Sequence, residues 1–271
     1  MSLSYSFRDA KCWAAFSGDH NPIHFDTVEA KRLGMNELCV HGMRAMLDVK
    51  YALSTSLEKY APSSDWLTFT SRLREPVLCE IPYQLPLSET VRHERVQVSG
   101  NLLNTHTRQI SISSKLAGAK PLVLSPFTLV DTFEEEELTK LYTQFLEVKS
   151  HAAPQWSFLD AVLFRQLVND QATLDCLHSI FPVHEAASLC DVFSLLQVVQ
   201  THHETRFSHQ LLMSAGKSHQ FETFDYAIQP TLVMGQKKTG LVLLAGIQAW
   251  RESEPLMSVT ITLKTGPLVE K

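Results

Sequence analysis

The chain has 271 residues, 44% of them hydrophobic and 20% charged, a balance that belongs to folded domains and excludes a disordered or fibrous polymer; the length suggests two units. A net charge of -5 supplies no basic stripe to track a phosphate backbone, so nucleic acid is not an expected partner. The five cysteines are odd in number, scattered and without C-x-x-C spacing, which reads as reduced thiols in a cytoplasmic protein; no apolar run nears the roughly 18 residues that cross a bilayer, and residues Met1 to Ser6 lack a basic region followed by a hydrophobic one.

In chain order, an extended start at Tyr5 to Phe7 precedes a brief helix around Ala10 to Phe16. Then comes F-S-G-D-H-N-P-I-H, Phe16 to His24. Pro22 pushes Asn21 toward an extended conformation and Gly18 relaxes the backbone before the acid, so this run is a loop in which Asp19 and His24 turn toward one point. Asp26 or Thr27 caps a short helix through Ala30 that ends near Gly34. From Met43 to Tyr60, the positions Met46, Val49, Leu53, Leu57 and Tyr60 recur at helical spacing and define a long amphipathic helix, bounded by a loop at Ala61 to Ser64. Extended segments follow at Trp66 to Leu73, Val77 to Leu85, Arg92 to Leu103 and Gln109 to Ser113. Prolines and Gly100-Asn101 break them as turns and bulges of an antiparallel sheet would. The pattern is α+β, a sheet wrapped around one long helix.

Lys115 to Pro121 is small, flexible and polar, and reads as a linker between units 1–115 and 122–271. Beyond it the elements recur. Glu134 to Val148 is a helix with Thr132 as N-cap and Glu135 closing a capping box, its acid run at the positive end of the dipole. Ser157 to Val168 is a second helix, and Leu189, Val192, Leu195, Leu196 and Val199 give a third helical stripe. Strands are expected at Ser208 to Ser214, Phe221 to Gln229, Gly240 to Trp250 and Met257 to Lys264. Val96 to Ser113 and Leu241 to Leu263 share a strand-turn-strand rhythm, which points to an internal repeat.

A carboxylate and an imidazole held together divide the work of moving a proton on and off water. A lone D-x4-H spacing is common by chance, so the weight falls on the whole string with Val40-His41-Gly42-Met43 after it. G-D-x-N-P-I-H followed by V-H-G-M resembles the MaoC-like R-specific enoyl-CoA hydratases and dehydratases. The resemblance implies a double hot-dog fold, catalytic roles for Asp19 and His24, and a thioester-holding backbone N–H at Gly42. It implies hydration of trans-2-enoyl thioesters or the reverse dehydration, with coenzyme A or acyl carrier protein as the substrate's carrier and no cofactor. It also allows a homodimer of double hot-dog chains. The chain departs from the family's pattern at Trp13 and Phe16, which bears on pocket shape. Asn21 is expected to orient the loop or the water, and His41 is open between a pocket residue and a helix-start residue. His24 as base with Asp19 as partner is the preferred assignment.

Other readings compete. The second half carries no G-D-x-N-P-x-H string, so one site per chain is implied, and a non-catalytic acyl-thioester binding module is the alternative function. A thioesterase would need Asp48 or Glu58 on the long helix as its carboxylate. Lys31, Arg32 and Arg44 read chiefly as solvated helix charges, with phosphate contact as the sharper alternative. Cys176, His178, His184 and Cys190 match no common zinc spacing, and no metal is expected.

Overall fold

Two half-sheets meet edge to edge along one pair of strands, and the remaining elements are arranged around that joint. The computed structural model describes residues 1–32, 34–60, 64–92, 95–127, 129–148, 153–180, 192, 198–212 and 221–267. The first half supplies β1 (Ser2–Ser4), α1 (Phe7–Ser17), a 3-10 turn (Pro22–His24), α2 (Thr27–Arg32), β2 (Cys39–Val40) and α3 (Gly42–Glu58). It continues with β3 (Trp66–Leu73), β4 (Val77–Leu78), β5 (Pro82–Gln84), β6 (Leu87–Arg92), β7 (Arg95–Asn104) and β8 (Ile110–Gly118). The second half supplies β9 (Asp131–Phe133), α4 (Glu135–Val148), α5 (Gln155–Val168), α6 (Gln171–Ile180), β10 (Val198–Ser208), β11 (Phe224–Gln236), β12 (Gly240–Arg251) and β13 (Glu254–Thr265).

Among the described residues eleven strands form one sheet in the order β1-β5-β7-β8-β3-β10-β13-β12-β11-β9, with β6 on β7, while β2 and β4 pair apart. All the pairings are antiparallel, and β3 meets β10 in unbroken register from Arg72 opposite His202 to Trp66 opposite Ser208. Outward from that joint the order is β8, β7, β5, β1 in one direction and β13, β12, β11, β9 in the other. Val96 to Ser113 and Leu241 to Leu263, the two segments with a common rhythm, thus fall at corresponding places. The fold is a double hot-dog.

Local chemistry explains the helices. Ser6 caps α1 in a capping box with Asp9, and Gly18, at φ 80, ends it in the left-handed conformation that glycine adopts without a Cβ clash. Asp26 accepts from Val28 N–H at 2.7 Å and starts α2, as its position suggests. The stripe Met46, Val49, Leu53 and Leu57 is wholly buried, and α3 lies against β7 and β8. Tyr60 lies past the helix end and is exposed. Nearly every side chain of α5 from Trp156 to Val168 is buried, which is the pattern of a helix packed on all sides.

A fully buried polar cluster crosses between the halves. Lys50 on α3 pairs with Asp160 on α5, His203 Nε2 lies 2.8 Å from the same carboxylate, and Thr205 donates to it. Burial alone would raise the Asp160 carboxyl, but the His203 and Lys50 partners outweigh it and hold the group well below the usual carboxylate range. Beside it Trp156 Nε1–H donates to Ser54 at 3.0 Å, another bond between α5 and α3.

Several expectations are corrected. Lys115 to Gly118 are the end of β8, paired with Leu67 to Thr70 of β3, and the irregular connection begins only after them. Thr132 is a strand residue whose hydroxyl donates to Asp225, so it caps nothing; the first bond of α4 runs from Leu138 N–H to the Glu134 carbonyl. Val199 lies in β10, while Leu189, Leu195 and Leu196 are outside the described residues, as are Ala61 to Ser63, the 213–214 end of the expected Ser208 strand, His184, Cys190 and the Cys176 side chain. The strand expected from Ser208 onward is contradicted: β10 spans Val198–Ser208 and ends where that strand was to start, and His209–Leu211 form a 3-10 turn; helix α6 is additional to the sequence reading.

The buried cluster gives the first prediction. Lys50→Met should lower unfolding free energy by about 3–5 kcal/mol, because it strands a charge in the core. Urea denaturation of Lys50→Met beside Lys50→Met/Asp160→Leu checks this, with the double variant expected to recover part of the loss.

Candidate active site

The loop between α1 and α2 is built from short-range bonds that its sequence dictates. Asp19 N–H donates to Ser17 Oγ, Asn21 N–H to Asp19 Oδ1 at 3.2 Å, and Ile23 N–H to Asn21 Oδ1 at 3.3 Å. Asn21 therefore caps the 3-10 turn that Pro22 opens, and its backbone sits at φ -54, ψ 124, the extended state favoured before proline. The second half anchors the start of this loop. Arg165 on α5 donates to the Phe16 carbonyl and Asn169, just past α5, to the Ser17 carbonyl at 2.9 Å, so two donors meet the carbonyl end of α1.

Asp19, His24 and His41 converge. The His24 and His41 rings stack with centroids 3.6 Å apart and planes 29° from parallel. His24 Nδ1 lies 2.8 Å from the Cys39 carbonyl, which can only accept, so Nδ1 carries the proton and Nε2 is the bare nitrogen of the neutral ring. By the same reasoning His41 Nε2–H donates to the Asp19 main-chain carbonyl at 2.9 Å, with the Asp19 carboxylate 3.9 Å away. Both rings are buried, His24 at 7% exposure and His41 at 2%. Burial lowers the His24 pKa against the pull of Asp19 and the Cys39 carbonyl, and burial followed by the neighbouring His24 charge lowers that of His41 further. Burial pushes the nearby Cys39 thiol up to about 12, which makes it a poor nucleophile.

These groups line a cavity of about 540 Å³. Asp19, Asn21, His24, His41 and Gly42 all reach it, so the structure brings together all five residues singled out in the sequence. Gly42 opens α3, ahead of the first helical bond from Ala45 N–H to the His41 carbonyl, so its N–H belongs to the donor-rich helix start. Trp13, Leu73 and Ile112 add apolar wall from the first half. The opposite wall comes from the second half: Phe164 and Val168 of α5, Val198 and Val199 of β10, Ile261 and Leu263 of β13. The residues of this wall are what sequence reasoning missed. The alternating apolar positions of β13 were visible, but which strand would face the loop was not.

One ligand-type atom each from Asp19, His24 and His41 lies within 4.8 Å of the others. His24 Nδ1 and His41 Nε2 are already engaged as donors to the Cys39 and Asp19 carbonyls, which leaves one nitrogen of each ring open to a water or a cation. Arg44, weighed for phosphate contact, is instead buried between Asp9 at 2.7 Å and Asp48 at 2.8 Å, and Arg32 pairs with Glu29.

Comparison with known proteins agrees with the fold. Residues 3–64 match the family model described as MaoC like domain. Over 122 residues, 43% of this chain and 71% of the relative, the sequence is 25% identical to a mitochondrial 3-hydroxyacyl-[acyl-carrier-protein] dehydratase of Arabidopsis thaliana. Two solved structures align over nearly the whole chain. One is a MaoC-like dehydratase with TM-score 0.51 and 10% identity, covering 99% of this chain and 96% of its own. The other is a conserved hypothetical protein of Mycobacterium tuberculosis described as a double hotdogfold, with TM-score 0.54 and 9% identity, covering 98% and 94%. At these identities the two structures speak for the fold.

A Cβ at Gly42 would stand 2.3 Å from Leu73 Cδ2, a side-chain tip that can rotate. Gly42→Ala should therefore fold while driving Leu73 into the cavity. Thermal melting should change little, ligand affinity should drop about tenfold for roughly 1.4 kcal/mol of lost fit, and Gly42→Ala/Leu73→Ala should regain affinity. The chain has a double hot-dog fold, and its residues 3–64 are similar to the MaoC like domain.

Proposed function

We propose that the protein adds water to trans-2-enoyl thioesters, or removes it from R-3-hydroxyacyl thioesters, at the cavity lined by Asp19, His24 and Gly42. The observation that carries this reading is the bare Nε2 of a buried, neutral His24 beside an acid and a helix-start N–H in one apolar cavity. In hydration, a water O–H bond breaks and its proton passes to His24 Nε2 while the oxygen bonds to C3 of the enoyl group. The π electrons move toward C2 and the thioester oxygen, where the Gly42 N–H receives the developing charge. The proton then passes from the Asp19 and His24 pair to C2, and dehydration retraces these steps. Asp19 accepts from water and favours the cationic state of His24, while Asn21 holds the loop.

The first half, through the end of β8 at Gly118, carries the acid and imidazole, and the second half, from β9 onward, closes the acyl pocket with Phe164, Val168, Ile261 and Leu263. The relative's name points to an acyl carrier protein as the carrier, and coenzyme A offers the same thioester chemistry. A thioesterase reading finds less support. Asp48 is held by Arg44, and neither it nor Glu58 lines the cavity.

The test is loss of enoyl absorbance with trans-2-enoyl-CoA substrates of short and medium chain, then with carrier-protein thioesters. Asp19→Asn and His24→Ala should each cost about 100- to 10,000-fold in turnover while the circular dichroism spectrum is retained. Full activity in both variants, or acyl binding without product in either direction, would sink the reading.

The pH dependence follows from His24. A base with a pKa below the ordinary value of about 6.5 is neutral throughout the physiological range. The rate kcat/KM should therefore hold steady as pH falls past neutrality and decline only as pH drops through that lowered value.

A further inference from the structure

We propose that His41 is a positioning residue: its stacked ring and its N–H bond to the Asp19 carbonyl hold the acid and imidazole in register. This rests on the reaction proposed above. His41 has no role in that chemistry as written, yet it touches both of its proton-handling residues. Its ring covers the face of His24 at 3.6 Å, and its Nε2–H bond of 2.9 Å ties the Asp19 main chain to the start of α3. It does not cap the helix through its side chain, and Nδ1 finds no partner among the described residues. A residue retained at a helix start merely for capping would use that nitrogen.

The consequence is geometric. Asp19 has loop bonds on its N–H and carboxylate, to Ser17 and Asn21. The His41 bond ties the loop to the start of α3, the element carrying Gly42. Through it, acid, base and thioester-oxygen donor share one frame. The stack also limits the site to one added proton, because two imidazolium rings at this spacing would repel. The other titratable or charged groups around the pair are Asp19, His20 and Cys39 from neighbouring segments, with Arg74 and Glu75 after β3 and Lys264 of β13 on the cavity wall.

Two substitutions separate ring from hydrogen bond. His41→Phe keeps a flat ring on His24 and loses the donor; His41→Gln loses the ring and keeps an N–H donor of similar reach. With the donor gone Asp19 moves from His24, so its pull on the proton weakens. His41→Phe should lower kcat roughly 100-fold with little change in KM and shift the acid limb of kcat/KM to lower pH. His41→Gln should restore most of kcat and return the limb toward the wild-type position. The His24 imidazole signal, followed by nuclear magnetic resonance against pH, should move the same way and needs no turnover.

A His24 titration in His41→Phe that matches the wild type, in a folded protein, overturns the proposal. So does a loss of kcat with an unmoved acid limb that His41→Gln fails to rescue. If the wild type turns over no thioester, the proposed reaction fails, while the His24 titration still decides whether His41 positions Asp19.

Discussion

The β3 and β10 pairing joins an open sheet edge of each half, and the Lys50–Asp160 contact behind it makes the join specific. An unpaired edge strand leaves a row of backbone donors and acceptors that recruits other strands. Here each half covers that edge of the other, with Trp66 to Arg72 matched residue for residue to Ser208 to His202. Hydrophobic burial alone would tolerate a slip of α3 along α5. A buried charge does not, because moving Lys50 by one turn would leave its ammonium without a partner in the core and take the lysine from the carboxylate it shares with His203 and Thr205. The neighbouring Trp156 to Ser54 bond, 3.0 Å long, adds a second fixed point along the same two helices.

The site inherits this registration. Its polar end belongs to the first half, the facing apolar wall to the second, and Arg165 of α5 with Asn169 just past it holds the last carbonyls of α1 where the Asp19 and His24 loop begins. The same repeat shows where the G-D-x-N-P-I-H loop loses its counterpart in the second half. Between α1 and α3 the chain spends residues 18–41 on a loop, a 3-10 turn, α2 and β2; between α4 and α5 it has only residues 149–154. So short a link leaves no room for a second acid and imidazole loop.

Much of this was legible in the sequence because it depends on local chemistry. Trp66 to Leu73 has the boundaries expected of it, and the long helix expected from Met43 starts one residue earlier, at Gly42. Asn21-Pro22 and Gly18 encode the loop through backbone preference alone. The errors lie where tertiary pairing overrides local signals. Lys115 to Gly118 looks flexible by composition, yet β3 offers it partners and it becomes strand. Val199 fits a helical spacing but is drawn into β10, whose outer residues line the cavity. Thr132 has the residue type of a cap and is taken by Asp225 across a strand pair. The stacked His24 and His41 rings were equally hidden, because the residues are seventeen positions apart and meet only when β2 brings Cys39 to His24.

Joining the two halves in one chain changes how their association responds to concentration. Two separate units that needed each other's strand edge would drift apart on dilution, and their shared cavity would vanish with them. A peptide tether makes the encounter intramolecular, with an effective concentration in the millimolar range for short linkers, whatever the abundance of the protein. The pairing of β3 with β10 thus survives at trace levels. It also removes any need for the halves to stay alike, which leaves the second free to become a pure wall for the first.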